Sequence, residues 1–418
     1  MTHYHVVGIG GAGMSAVARL LMARGDQVSG SDNGRWPLAQ ALARDGAAVH
    51  ESFEPEHVAG ADVVIRSSAY GDDNPEVRAA RERGIRVWKR EDAWRDLANG
   101  KRVVAIAGTH GKSTTTAMTW AALRAGGMDA SLICGAVLRD IGSNAHAGRA
   151  DILVIEADEY DNTFLALDPQ VAVVTNVDHD HVDMFPTKES YIAAFHRFAA
   201  RVVKGGTLVY SADDIGAIEV AQAAERAGTR VEPYRALDET LAVRGEHNRR
   251  NAGGAVLAAR AVGLSRDDAV RGVRDFGGLE RRLELLGTAG SVKVVDDYAH
   301  HPAEIAAGLD AYPLSVVVFQ PHTPSRLDAF FDEFAAVLAR ARAVVIVETF
   351  RSARERPDEH GLAKRLASAV GGSYAADGAT AAKLAADLVR PGDTVLVMGA
   401  GDTRPIGERV LELLRTPV

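Results

Sequence analysis

The sequence predicts an α/β protein of three domains built on mostly parallel sheets, and three observations carry this. The chain has 418 residues, close to three domains at about 150 residues each. Short apolar strands followed by helical patterns recur from end to end, the pattern of parallel strands with helical crossovers. Two of these strands run directly into glycine-rich loops that open helices. No short internal repeat or low-complexity segment interrupts the pattern.

Composition narrows the class. A hydrophobic fraction of 47% and a charged fraction of 25% are ordinary for a soluble globular protein. No run of about 18 apolar residues occurs, so no membrane insertion is expected. Met1-Thr2-His3-Tyr4 enters a strand-like run without the basic start of a signal segment. A single cysteine, Cys134, cannot form an internal disulfide and fits a reducing, cytoplasmic compartment. Lys and Arg number 48 against 56 acidic residues, a net charge of −8. With no long basic run, nucleic acid is not an expected partner.

In order along the chain, the first third reads as strand 5–10, helix 12–24, strand 27–32 and strand 63–67. It closes at the polar joint Leu97-Ala98-Asn99-Gly100. The middle third carries strands 103–107, 152–156, 171–176 and 207–210. The last third begins around Gly277-Gly278 and holds strands 292–296, 316–320, 344–348 and 394–399. The expected domains are 1–99, 100–278 and 279–418.

Gly8-Ile9-Gly10-Gly11-Ala12-Gly13 fits G-x-G-x-x-G between a strand and a helix. Glycines let backbone approach a pyrophosphate, whose charge the helix N-terminus favours. Asp32, at the end of the next strand, stands where such a fold holds a ribose. NAD and a UDP-sugar satisfy the motif equally, and a tight structural turn is the bland alternative.

The second loop, Gly108-Thr109-His110-Gly111-Lys112-Ser113-Thr114, follows strand 103–107. Gly-Lys-Ser opening a helix is the working end of a P-loop, with Lys112 for β/γ-phosphates and Ser113 for Mg²⁺. Ile106 stands where the general P-loop pattern has its first glycine, so the match is to a shorter variant. The alternative is an N-capped helix whose threonines satisfy backbone donors.

Acids follow the next two strands: Glu156-Ala157-Asp158-Glu159-Tyr160-Asp161, then Asn176 through Asp183 with Asp178, His179, Asp180 and His181. Carboxylates at the C-terminal ends of parallel strands lie where α/β ligands bind, and Mg²⁺ prefers oxygen ligands. The pair of clusters suggests one or two divalent metals, against solvated loop charge.

Taken together, GIGGAGMS (8–15), SGSD (29–32), SSA (67–69), AGTHGKST (107–114), EADE (156–159), TNVDHDHVD (175–183), HNRRN (247–251), RRLE (281–284), VDDYAHHP (295–302), FQPHTPSR (319–326) and MGAGD (398–402) follow a known order. The sequence resembles the Mur ligases, the ATP-dependent amino-acid ligases of peptidoglycan precursor synthesis, over essentially its whole length. The resemblance implies a Rossmann-like UDP-substrate domain, a central P-loop ATPase domain and a C-terminal Rossmann-like domain for the incoming amino acid. It is strongest to the alanine-adding members, implying ligation of L-alanine to the lactyl carboxylate of UDP-N-acetylmuramate. The alternative within the family is recycling of murein tripeptide. The implied cofactors are ATP and Mg²⁺ or Mn²⁺, and the implied state is a monomer or weak homodimer.

By the same resemblance, Gly8, Gly10, Gly11, Ala12, Gly13, Asp32, Ser67 and Ser68 meet the UDP substrate. Residues 108–114, Asn248, Asn251, Arg282 and Asp297 meet ATP, and Ser113, Glu156 and His181 hold metal. Tyr298, His300, His322 and Arg326 fall where the acceptor meets the lactyl group. Lys112, Arg282, His300 and Arg326 are the candidate catalytic residues, with His300 as base. Three positions depart from the alanine-adding pattern: Tyr160 replaces a common serine, Thr323 stands where some members carry arginine, and His196 falls where other family members carry a carbamoylated lysine. The implied chemistry is an acyl phosphate attacked by an amine, which requires the domains to close against water. A dehydrogenase resting on Gly8–Gly13 and Asp32 would leave the Lys112 loop unexplained. A non-catalytic nucleotide-binding regulator would leave lysine, metal ligands and Arg282 without a use.

Overall fold

Strand and helix alternate along the chain in the computed structural model, which describes residues 1–181, 184–350 and 360–415. Val182 and Asp183 of the second acidic cluster lie outside the described residues. Three sheets result. The first contains β1 (His3–Val7), β2 (Gln27–Ser31), β3 (Ala48–His50), β4 (Val63–Arg66) and β5 (Arg86–Lys89), all parallel, in the order β3-β2-β1-β4-β5.

The second sheet contains β6 (Arg102–Ala107), β7 (Ser131–Leu138), β8 (Ser143–His146), β9 (Ile152–Glu156), β10 (Val171–Val174), β11 (Thr207–Ser211) and β12 (Arg230–Tyr234). Their order is β12-β11-β10-β6-β9-β7-β8, with only the β7–β8 pair antiparallel. The third contains β13 (Glu284–Ala289), β14 (Val292–Asp297), β15 (Val316–Phe319), β16 (Ala343–Val347), β17 (Ser373–Ala375) and β18 (Thr394–Met398). It runs β13-β14-β18-β15-β16-β17, and only β13–β14 is antiparallel. The expected three-domain α/β architecture with mostly parallel sheets is the one observed.

The interior strands β6 and β10 of the second sheet are almost wholly apolar, as expected where helices cover both faces of a parallel sheet. Every residue of β6 after Arg102 is buried, as is all of β10. Beside the second sheet, the helix Lys188–Ala199 packs Tyr191, Phe195 and Phe198 inward. Phe198 stacks on Phe164 at 4.8 Å and Tyr191 meets Phe195 edge-on. Each such ring contributes roughly 1.5–3 kcal/mol by leaving water.

The chain divides into two compact units. Met1–Ala242 with Asn248–Gly277 holds the first two sheets, and the unit beginning at Gly278, with Val243–His247, holds the third. In the first unit one apolar core runs through both sheets.

Strand ends correct the expectations. The strand expected at 5–10 spans His3–Val7, because Gly8 turns to φ +82° and begins the loop. The strand expected at 171–176 stops at Val174, and Thr175 and Asn176 leave the ladder to bond the P-loop. The last strand stops at Met398, where Gly399 takes φ +152°. No helix among the described residues is long and apolar enough to cross a membrane.

Candidate active site

The first glycine loop leaves β1 and enters the helix Ala12–Ala23. The Gly8 and Ile9 amides donate to the Ser31 carbonyl, tying the loop to the end of β2. Asp32 is buried, and its carboxylate accepts from the Gly10 amide at 2.8 Å, the Asn33 amide at 2.9 Å and the Tyr70 hydroxyl at 3.1 Å. Asp32 thus shapes the loop itself. Burial, and after it the Asp32 charge, push the Tyr70 phenol well up. A Cβ on Gly10 would fall 2.5 Å from the Trp36 Cβ, and one on Gly8 2.8 Å from the Tyr70 ring. Only glycine fits at either position. Ser67 lies beside Gly8, whereas Ser68 is exposed.

The second loop follows β6 and turns through Gly111, at φ +79°, into the helix Lys112–Ala125. Thr109 and His110 are held from β10's extension. Thr109 Oγ1 donates to the Asp178 carbonyl at 2.8 Å, and the His110 amide donates to Asn176 Oδ1 at 2.8 Å. Lys112 Nζ donates to the carbonyls of Gly108 (2.6 Å) and Thr109 (3.1 Å) and pairs with Glu159 at 2.9 Å. Burial opposes the charged form of this lysine, but Glu159, Asp158 and Glu156 outweigh it and hold the pKa above the ordinary value.

Ser113 Oγ donates to Glu156 Oε1 at 3.0 Å, while the Gly135 amide donates to Oε2 at 2.6 Å. A hydroxyl facing a carboxylate at a strand end is the hard-oxygen pair that Mg²⁺ accepts. The third candidate ligand, His181, is turned to Glu159 at 3.5 Å and meets the Tyr160 ring edge-on at 5.1 Å. Burial lowers the pKa of His181, yet Glu159 raises it further, so the imidazole is held toward its charged form. Its backbone sits at φ +52°, as do Asp161 and Asn162 near +55°, a cost of order 1–3 kcal/mol each that clusters at functional loops.

Asn248 and Asn251 are buried on the helix Glu246–Ala261, with Asn251 Nδ2 donating to Asn248 Oδ1 at 3.3 Å. A Cβ on Gly111 would lie 2.4 Å from Asn251 Oδ1. Helix and P-loop are therefore in direct apposition. His196, on the helix Lys188–Ala199, instead faces Glu219 at 3.7 Å.

In the second unit, candidates gather where β14 and β15 end. Asp297 closes β14, and its carboxyl is pushed up to about 7 by burial, only partly offset by Arg282. Burial likewise lifts Asp296 to about 6. Arg282 lies over the Tyr298 ring and 3.5 Å from Glu304. His300 Nδ1 faces the Tyr298 carbonyl at 2.9 Å and Glu304 at 3.2 Å. Both partners are acceptors, so Nδ1 is the donor to them. His322 meets His300 edge-on at 5.8 Å and stacks on Phe350. Arg326 lies on the short helix Pro324–Ala329, which Thr323 precedes as N-cap.

Three residues that sequence reasoning left without a role belong here. Glu159 is fully buried and ties Lys112 to the Tyr191 hydroxyl (3.2 Å) and His181. Its place in EADE was the available clue. Tyr191 reads in sequence as plain helix core. Arg281, rather than Arg282, staples the last loop, donating to the Gly399 and Gly401 carbonyls and to Thr403 Oγ1 at 2.7–2.9 Å.

Two glycine loops at the ends of parallel sheets, one with its lysine and serine set against carboxylates, define a multidomain α/β enzyme that handles nucleotide phosphates. Three family descriptions then match successive stretches: "Mur ligase family, catalytic domain" over residues 3–102, "Mur ligase middle domain" over 106–257, and "Mur ligase, glutamate ligase domain" over 281–401. The chain belongs to the Mur ligase family. It is 42% identical to a UDP-N-acetylmuramate–L-alanine ligase of Saccharopolyspora erythraea, over 97% of this chain and 92% of that one. It is 43% identical to the same-named protein of a Nocardioides species, over 98% and 96%. In fold it is similar to a UDP-N-acetylmuramate–alanine ligase of Thermotoga maritima, with a TM-score of 0.82, 24% identity and 99% of both chains covered. A murein peptide ligase of Psychrobacter arcticus superposes with a TM-score of 0.76 at 22% identity over the whole of both chains.

Proposed function

We propose that the protein joins L-alanine to the lactyl carboxylate of UDP-N-acetylmuramate, converting ATP to ADP and phosphate, in cytoplasmic peptidoglycan precursor synthesis. The observation that carries this reading is the loop 108–113, whose serine faces the carboxylate that ends β9 and whose lysine faces one three residues beyond it. The likeness at about 40% identity, over nearly full length, to ligases of that name supports the substrate pair.

A carboxylate is a poor acyl donor, so the lactyl group first takes the γ-phosphoryl group of ATP. The amine of L-alanine then attacks the acyl phosphate, and phosphate leaves through a tetrahedral intermediate. Phosphoryl transfer asks chiefly for positioning and charge neutralisation. In this reading the loop 108–114 wraps the ATP phosphates with Lys112 on the β/γ groups, while Asn248 and Asn251 flank the nucleotide. Arg282 adds positive charge and Asp297 meets the ribose. Ser113, Glu156 and His181 would hold Mg²⁺ or Mn²⁺, which supplies neutralisation of phosphate charge when bound. His300, through Nε2, takes a proton from the alanine ammonium so that the free amine can attack, and Arg326 holds the alanine carboxylate. Gly8–Gly13, Asp32, Ser67 and Ser68 form the UDP site. The domains are 1–99, 100–278 and 279–418, and the working state is a monomer or weak homodimer.

The test is a product mass spectrum with UDP-N-acetylmuramate, ATP, Mg²⁺ and a mixture of L-alanine, glycine, L-serine and L-alanyl-γ-D-glutamyl-diaminopimelate. A product heavier by one alanine residue supports the assignment. A dominant tripeptide adduct moves the protein to murein recycling.

A further inference from the structure

Four strands of the third sheet, β14, β18, β15 and β16, lie side by side in that order. They are parallel, and the C-terminal ends of such strands are where ligands bind. Three of these ends carry one run of ring contacts. Tyr298 after β14 meets His300 at 5.4 Å, and His300 meets His322 after β15 at 5.8 Å. His322 in turn stacks on Phe350 after β16 at 5.7 Å. The fourth end, the loop after β18, brings no ring, only Gly399, Gly401 and Thr403. Arg281 supplies what is missing there. Its Nη2 donates to the Gly399 carbonyl at 2.7 Å, the Gly401 carbonyl at 2.8 Å and Thr403 Oγ1 at 2.9 Å. A single nitrogen thus gathers three acceptors of the loop 399–403 around the guanidinium.

Arg281 is also tied twice to Tyr298. The Tyr298 amide donates to the Arg281 carbonyl at 2.7 Å, and the guanidinium lies 4.9 Å from the centre of the Tyr298 ring. Gly401 makes the remaining step, since a Cβ there would fall 2.6 Å from the Phe350 ring. The contacts therefore return on themselves, from Tyr298 through His300, His322, Phe350 and Gly401 to Arg281. Arg281 keeps this place at φ +56°, a backbone cost of order 1–3 kcal/mol. Its amide is held by Glu284 at 2.9 Å, and its Nε faces the buried Asp296 carboxylate at 3.4 Å. We propose that Arg281 is a positioning residue for acceptor specificity, which holds the loop 399–403 against Tyr298 and so closes the wall that limits the acceptor side chain to a methyl group. It acts through the loop and the ring, without touching the amino acid. This rests on the third-sheet residues being the acceptor site of the proposed ligase.

The test compares wild type, Arg281→Gln, Arg281→Lys and Gly401→Ala by thermal unfolding and by steady-state kinetics with L-alanine and L-2-aminobutyrate. The second acceptor is longer by one methylene, for which wild type should favour L-alanine by at least about tenfold in kcat/KM. Arg281→Gln cuts that preference to within about threefold and raises the KM for L-alanine about tenfold, the worth of a charge-assisted hydrogen bond. The KM values for ATP and UDP-N-acetylmuramate stay as in wild type. Arg281→Lys recovers part of the preference, because it keeps the charge and a donor for the loop carbonyls. Gly401→Ala pushes the same loop off Phe350 and lowers the preference without touching Arg281, which keeps the proposal testable if Arg281→Gln does not fold. Equal rises in all three KM values, or an unchanged acceptor preference in folded Arg281→Gln or Gly401→Ala, overturn the proposal. Wild type that ligates no L-alanine removes the proposed function and the proposal with it. Wild type that ligates L-alanine, with the preference intact in the variants, removes the proposal alone.

Discussion

The Lys112–Glu159 pair sets two demands against each other at one residue. Glu159 is fully buried, so the lysine that is to meet ATP phosphates also neutralises a carboxylate that water cannot reach. Lys112→Ala should reduce ligation on the order of 10³-fold or more, since a phosphate-clamping charge is lost from the transition state. UDP binding, served by another sheet, should persist. The same substitution strands Glu159 and should cost about 3 kcal/mol or more of stability. Adding Glu159→Gln should restore most of that stability and none of the activity, because it removes the stranded charge without replacing the clamp. Calorimetric unfolding of the two single mutants and the double mutant, with turnover in each, checks both halves. Asp297 provides a pH-dependent case. Its folded pKa of about 7 lies above the ordinary carboxyl value because of burial. Its contribution is therefore fully present below about pH 4 and is lost as pH rises through about 7. Asp297→Asn keeps the acceptor for the Ala299 amide and does not titrate. Relative to wild type it should gain stability from about pH 4 to pH 7 and then level off. Parallel stability profiles for the two proteins would contradict the burial argument.

At the scale of elements, function lies in loops that strands deliver, and these were the parts legible in the sequence. GIGGAG, GTHGKS and EADE could be read because glycine, lysine and acid at strand ends have few structural uses. The strands β6, β9 and β10 were legible as continuous apolar runs. What was missed is instructive. The strands β3, β5, β12 and β17 are short or lie at sheet edges and carry polar residues, as Arg86-Val87-Trp88-Lys89 does. Periodicity is weak there because only one side is fully covered. The β7–β8 hairpin and the β13–β14 pair are antiparallel edges added to parallel sheets, which a strand–helix rhythm does not announce. Glu159, Tyr191 and Arg281 bond partners distant in sequence, so no local spacing marks them. The P-loop strand also shows how tightly an element can be specified. Gly108 has φ +140°, and a Cβ there would fall 1.9 Å from Thr175 Oγ1. Gly108→Ala must push the loop away from the end of β10, whose extension holds His110 through Asn176. ATP affinity should drop at least about tenfold, with a lowered melting temperature, as expected where both φ and space exclude a side chain. Unchanged nucleotide titration in this mutant would remove the loop from the ATP site.

For the whole molecule the acceptor is told by sequence more than by fold. An alanine ligase and a murein peptide ligase both superpose over essentially the entire chain, at TM-scores of 0.82 and 0.76. Sequence is more discriminating, with identities of 42% and 43% to alanine-adding proteins over nearly the full length. The acceptor candidates agree with a small ligand. Tyr298, His300, His322 and Phe350 form a chain of ring contacts at 5.4, 5.8 and 5.7 Å, close enough to wall off a methyl group. In the proposed assignment Arg326 would supply a fork for the alanine carboxylate. L-alanine should therefore be preferred. Loss of its methyl group is worth only about 1–3 kcal/mol, so glycine should be slower by roughly ten- to two-hundredfold in kcat/KM. L-serine should also be poor. Exclusion of L-alanyl-γ-D-glutamyl-diaminopimelate is steric and should be sharper than either. Tyr160 gives the competing expectation a physical form: its ring packs against His181, so exchanging it should act on the proposed metal ligand rather than on the proposed acceptor residues. Tyr160→Ser should consequently alter the Mg²⁺ requirement while leaving the ranking of acceptors intact. Steady-state kinetics with the four acceptors in wild type and Tyr160→Ser read both effects. Tripeptide efficiency equal to that of L-alanine would transfer the enzyme to the recycling branch, and a ranking that changes with Tyr160 would locate specificity at the metal loop instead of the third sheet.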